Sequence, residues 1–158
     1  MDISPEAQNI LSASGWNLEG FDEKLAEKLV RQLHKAQRRR RDAVTEAFPE
    51  AMNALASYGG IVIPDRGAGI TAYRDGFNLI PVEGLTSETA LQELRQLTAG
   101  KERFFPIGAI PDIHGKLLIG NRGRIVMYGP NGYFLMGDDM NEALNNLIAG
   151  VEPGVFFG

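Results

Sequence analysis

The 158-residue sequence contains no cysteine. That excludes disulfide staples, thiolate metal centres and cysteine nucleophiles together, and it suits a reducing compartment. Histidine is nearly as scarce, with only His34 and His114. No Gly-x-Ser-x-Gly elbow, no Gly-Lys-Ser/Thr phosphate loop and no His-Glu-x-x-His helix occurs. No apolar run approaches the roughly 20 residues that span a bilayer. The opening residues Met1 to Glu6 lack the basic and apolar regions of a secretory leader. These absences lead us to expect a soluble cytoplasmic protein with no membrane association, no cofactor and no metal.

What is present has the size of one domain, which at this length buries about 70% of its unfolded surface without staples. The formal net charge is −4 and its distribution is uneven. Residues 1–41 carry eight basic and six acidic groups, residues 42–100 three against eight, and residues 101–158 five against six. An acidic middle disfavours nucleic acid as a partner and favours a basic protein surface, whose encounter it would accelerate.

The clearest structure lies between Phe105 and Gly150. Three apolar runs, Lys116 to Ile119, Arg124 to Tyr128 and Tyr133 to Met136, are separated by Asn121-Arg122-Gly123 and Asn131-Gly132. That is the pattern of an antiparallel meander, and Asn-Gly supplies residues that accept positive φ in a tight hairpin. Met140, Ala143, Leu144, Leu147 and Ile148 then share one helical face, with Asp139 at the N-cap, Glu142 three residues on and Gly150 past the end.

Upstream, Ser4-Pro5-Glu6 opens a short helix that Gly15 stops before Trp16, and the tryptophan reads as a core anchor. From Asp22 a charged helix places Leu25, Leu29, Leu33 and Ala36 on one face and His34 on the surface. Arg38 to Arg41 follows. Successive helical residues point about 100° apart, so these four cannot converge on one phosphate, and a solvated helix end is expected. Phe48-Pro49-Glu50 starts a third helix over Met52, Leu55, Ala56 and Tyr58, which Gly59-Gly60 ends before a buried strand Ile61-Val62-Ile63. Residues 64–80 read as loop with strand fragments at Tyr73 and Phe77 to Ile80. Leu85-Thr86-Ser87 starts a helix over Ala90, Leu91, Leu94 and Leu97.

Pro106-Ile107-Gly108 beside a strand, Leu117-Leu118-Ile119, Gly123-Arg124-Ile125-Val126, an aromatic strand ending in Gly137, and Glu142-Ala143-Leu144 with Leu147 and Gly150 together resemble the third subfamily of the SUKH superfamily of bacterial immunity proteins. Gly15-Trp16 and the Tyr58-Gly59-Gly60 break extend the resemblance. It implies a single α+β domain over residues 1–158, with N-terminal helices, a central antiparallel sheet and a C-terminal helix packed on it. It also implies a cognate toxin partner, commonly a nuclease or deaminase, bound stoichiometrically without catalysis. A SUKH-fold regulatory module without a toxin, and a nucleic-acid binder using Arg38 to Arg41, are the alternatives; a monomer or weak homodimer is expected.

Candidate contact residues follow from position. Asp75, Asp112, His114, Tyr133, Asp138 and Asp139 lie in or beside turns of the predicted sheet, where scaffold-held loops carry recognition. Asp112-Ile113-His114 is also the one local pair suited to acid–base or metal chemistry, if extended backbone puts i and i+2 on one side. Two ligands do not complete a metal site.

Overall fold

Each helix begins where the sequence supplies an acceptor or a proline. The computed structural model describes residues 2–156. Ser4 Oγ accepts from the Ala7 amide at 3.1 Å and Pro5 takes the first position of α1 (Pro5–Ala13). Asp22 Oδ1 caps α2 (Glu23–Arg39) through Leu25, and Ser87 Oγ caps α4 (Glu88–Leu97) through Ala90. Pro49 opens α3 (Pro49–Tyr58), and Asp139 Oδ1 accepts from Glu142 at 2.8 Å to cap α5 (Met140–Ala149). Such caps satisfy amides that the helix itself leaves unpaired.

Seven strands among the described residues form one antiparallel sheet in chain order. They are β1 (Val62–Ile63), β2 (Phe77–Asn78), β3 (Phe104–Ile110), β4 (Gly115–Gly120), β5 (Ile125–Gly129), β6 (Gly132–Gly137) and β7 (Gly154–Val155). The expected meander is β3 to β6. Its last hairpin turns on Pro130-Asn131, and the positive φ expected of Asn-Gly falls on Gly132 alone, at +116°.

Register decides what each face buries. Phe105, Ile107, Leu117, Ile119, Ile125 and Met127 lie in the main core with α1, α2, α3 and α5. A bulge between Pro106 and Gly108 lets Ile110 join them, because the extra residue resets the alternation. Gly108 is required there: a Cβ would stand 1.9 Å from the Asn78 carbonyl oxygen of β2. Phe104, Leu118 and Val126 point to the opposite face, where Leu94 of α4 and Phe156 cover them. Helices on one side of the sheet therefore holds for four of the five, and α4 packs behind.

Several local expectations shift. On α2 the buried residues are Ala26, Leu29, Val30, Leu33 and Gln37, with Leu25 and Ala36 half-buried. Gln37 is inside because its amide clamps Thr45, donating to Oγ1 at 2.8 Å and accepting from the backbone amide at 3.0 Å. His34 is half-buried rather than on the surface, its Nε2 lying 2.8 Å from the Thr45 carbonyl oxygen. Val62 alternates out of the core and is exposed, and Leu97 of α4 is exposed as well. Trp16 is buried, with its indole donating to Ser57 O at 3.1 Å and its ring stacked on Tyr58 at 5.7 Å.

Candidate functional site

The hairpin of β1 and β2 pairs Val62 with Asn78 and Ile63 with Phe77. Carrying that register two residues toward the loop sets Asp65 opposite Asp75. The turn after β3 then delivers Asp112, and one carboxylate oxygen from each of the three lies within 4.8 Å of the others. Like charges placed across a ladder repel, so the local backbone must hold them. The Gly76 amide donates to Asp65 Oδ1, and a Cβ at Gly76 would come within 2.8 Å of the Ile63 carbonyl oxygen.

Charge is shared unequally within the group. The Gly76 amide, and then a hydrogen bond from Asp112, hold the Asp65 carboxyl below the usual carboxylate range. Asp112 is pushed up, first by its hydrogen bond to Asp65 and then by that residue's charge. Burial, reinforced by Asp65, raises Asp75. A cationic group arriving here would relieve the repulsion among all three. Oxygen donors alone would suit a hard cation. Among the described residues this is the one grouping of three or more such groups close enough to hold an ion.

Apolar side chains flank the carboxylates. A groove of about 210 Å³ runs between Val62, Pro64, Phe77 and Pro111 with Asp65 and Asp112 on its walls, and the exposed Tyr73 and Ile113 line a neighbouring pocket with Asp75. The loop is fixed rather than loose, because the amides of Ile70, Thr71 and Ala72 donate to the carbonyls of Ala149 and Gly150 at the end of α5. Those are the carbonyls that a helix C-terminus leaves unpaired. The Arg66 guanidinium adds a bond to Ile148 O.

The other sequence candidates separate. Pro111–Ile113 is a single 3-10 turn and His114 takes a left-handed φ of 54°, so the extended relation expected between Asp112 and His114 is absent. His114 is exposed beside the β5–β6 turn. Tyr133 lies on the α4 side of the sheet, stacked on Tyr128 at 5.0 Å, with its hydroxyl donating to Glu93 at 3.4 Å. Burial first and Glu93 second push its hydroxyl up to about 12. Asp138 and Asp139 stand at the opposite end of β6, where Asp138 is exposed and Asp139 caps α5.

Compared with protein-family models, residues 3–150 match the model described as SUKH-3 immunity protein. The chain belongs to the SUKH-3 immunity protein family. No curated protein and no solved structure matched it. The SUKH-3 match takes in the five α-helices of the described residues and β1 to β6, whereas β7 and Phe156 follow its last residue. No helix among the described residues is long and apolar enough to cross a membrane.

Within this SUKH-3 domain, Asp75 and Asp112 are brought together and His114 follows on the same β3–β4 turn, whereas Tyr133 lies on β6 against Tyr128 and Glu93. Asp138 and Asp139 do not join them. The sequence reading missed Asp65, which belongs to the same cluster, and Glu93, which orients Tyr133. For Asp65 the signal was the equal spacing of two aspartates from paired strands, legible only once the hairpin register is known.

Proposed function

We propose that this SUKH-3 protein neutralises a cognate bacterial toxin domain, a nuclease or deaminase, by stoichiometric binding in the cytoplasm and without a catalytic step of its own. The family match over residues 3–150 carries the reading. The carboxylate end of the sheet supports it, since a nucleic-acid-directed toxin presents basic surface. Asp65, Asp75 and Asp112 would draw that surface in, and Tyr73 and Ile113 would supply the desolvated contacts that hold it. His114 and Tyr133 would lie at its rim, while Asp138 and Asp139 would reach the toxin only as a second contact at the far end of the sheet.

The test is growth of bacteria expressing the toxin domain encoded beside this chain's gene, alone and together with the chain. Arrest relieved only by coexpression, with the two proteins co-purifying one to one, is the expected outcome. Arrest that persists despite soluble expression of this chain would overturn the reading and favour a regulatory module that has no toxin.

A further inference from the structure

The segment between α1 and α2 is a hydrogen-bonded knuckle. The Trp16 indole donates to Ser57 O, and the Asp22 amide donates to Ala56 O at 2.9 Å, so both ends of the segment are pinned to the last turn of α3. Between the pins, Asn17 Oδ1 accepts from the Glu19 amide and Asn17 O from the Gly20 amide. This scaffold leaves Leu18 64% and Phe21 54% exposed, three residues apart. Single exposed apolar residues need no explanation, whereas here two large ones are held outward on one hydrogen-bonded turn.

Beside the knuckle lies a cleft of about 440 Å³ lined by Asp2, Trp16, Leu18, Tyr58 and Asn141, among others. Its floor is built: Trp16 stacks on Tyr58, whose hydroxyl donates to Asn141 Oδ1 at 2.7 Å. Among the described residues, Asp2, Glu19, Asp22 and Glu23 are exposed in or beside the two features, with Lys24 as the neighbouring cation in sequence. Exposed carboxylates around a cleft favour a cation.

We propose that the Leu18–Phe21 knuckle and this cleft form a docking surface for a basic segment of a partner protein. An arginine or lysine of the partner enters the cleft between Asp2 and the Trp16–Tyr58 pair, and apolar partner side chains cover Leu18 and Phe21. Charge complementarity selects a basic protein segment over nucleic acid, whose phosphates the same carboxylates would repel. This surface is defined by its own chemistry and holds whether or not that partner is a toxin. Its place at the helical end separates it from the Asp65, Asp75 and Asp112 group.

Trp16 is the only tryptophan in the chain and lines the cleft, so its emission reports occupancy directly. The probe is the peptide acetyl-Gly-Arg-Leu-Arg-Gly-amide, titrated into the full chain at low salt beside a version with glutamate for arginine. The expected result is a saturable change in Trp16 emission with the arginine peptide and none with the glutamate peptide. In the ¹⁵N-labelled chain, amide shifts should concentrate in residues 16–22 and Asn141. Glu19→Gln with Asp22→Asn, which keeps a capping side chain, should weaken binding about tenfold, and Leu18→Ser with Phe21→Ser should weaken it too while leaving the fold unchanged. A linear, non-saturating response, an equal response to the glutamate peptide, or shifts centred on Asp65, Asp75 and Asp112 would each overturn the proposal. Toxin rescue is scored separately, so either reading can fail alone.

Discussion

Asp65, Asp75 and Asp112 show how a residue's place in the fold sets its contribution to stability. Asp75 and Asp112 have raised carboxyl pKa values, so the folded chain binds more protons than the unfolded one as they titrate. By linkage, their contribution to stability falls as pH rises from below the ordinary carboxylate range through their raised values. Asp65 runs the other way: its lowered pKa contributes stability above the ordinary value that is lost as pH drops. We therefore expect Asp112→Asn to raise the melting temperature at pH 7, with the gain vanishing near pH 3, and to weaken toxin rescue. Thermal melts across that range decide the matter, and a lowered melting temperature at pH 7 would refute the repulsion. Stability given up for recognition is a common arrangement at binding surfaces. None of this coupling was legible from the sequence, where Asp65 stands in an unreadable loop and Asp112 pairs by eye with His114. Local spacing cannot reveal which residues a hairpin register will oppose.

At the scale of elements, legibility follows how local the signal is. The helix α5 carries its cap, its apolar stripe and its terminal glycine within a dozen residues, and the meander carries its own turns; both appear as expected. The buried face of α2 shifts to include Ala26, Val30 and Gln37, and the last is held inward by Thr45, a partner eight residues away. Strand β7 was not anticipated at all, since two residues have no periodicity and only pairing with β6 defines them. It nevertheless positions Phe156, buried edge-on against Phe104 at 6.0 Å, with the Arg124 guanidinium 4.6 Å from its ring centroid. Arg124 in turn binds Glu102, a carboxylate only 2% exposed. Removing the ring should open a cavity over Phe104 and loosen that pair. Phe156→Ala should cost about 3 kcal/mol, seen as a lower urea midpoint with an unchanged slope. A midpoint within error of the parent would show that the second core closes without β7.

For the molecule as a whole, the sheet acts as a spacer between two acidic surfaces, one at the β1–β2 and β3–β4 turns and one beside the first turns of α2 and α5. The strongest run of positive charge, Arg38 to Arg41, is exposed at the far end of α2 and faces solvent. The α+β class was readable because apolar periodicity and turn residues are dense in the C-terminal half, whereas the cluster of Asp65, Asp75 and Asp112 was only partly readable because it joins segments distant in sequence. If both acidic surfaces steer a basic toxin, the association rate should depend on ionic strength far more than the dissociation rate does. Screening shortens the Debye length from about 30 Å at 0.01 M salt to 3 Å at 1 M. Steering acts before contact, whereas desolvated contacts such as those offered by Tyr73 and Ile113 act after it. Stopped-flow mixing with the cognate toxin domain across that range should show the on-rate falling by at least tenfold while the off-rate changes little. An on-rate indifferent to salt would place recognition on the apolar residues alone and leave the carboxylates without a part in the encounter.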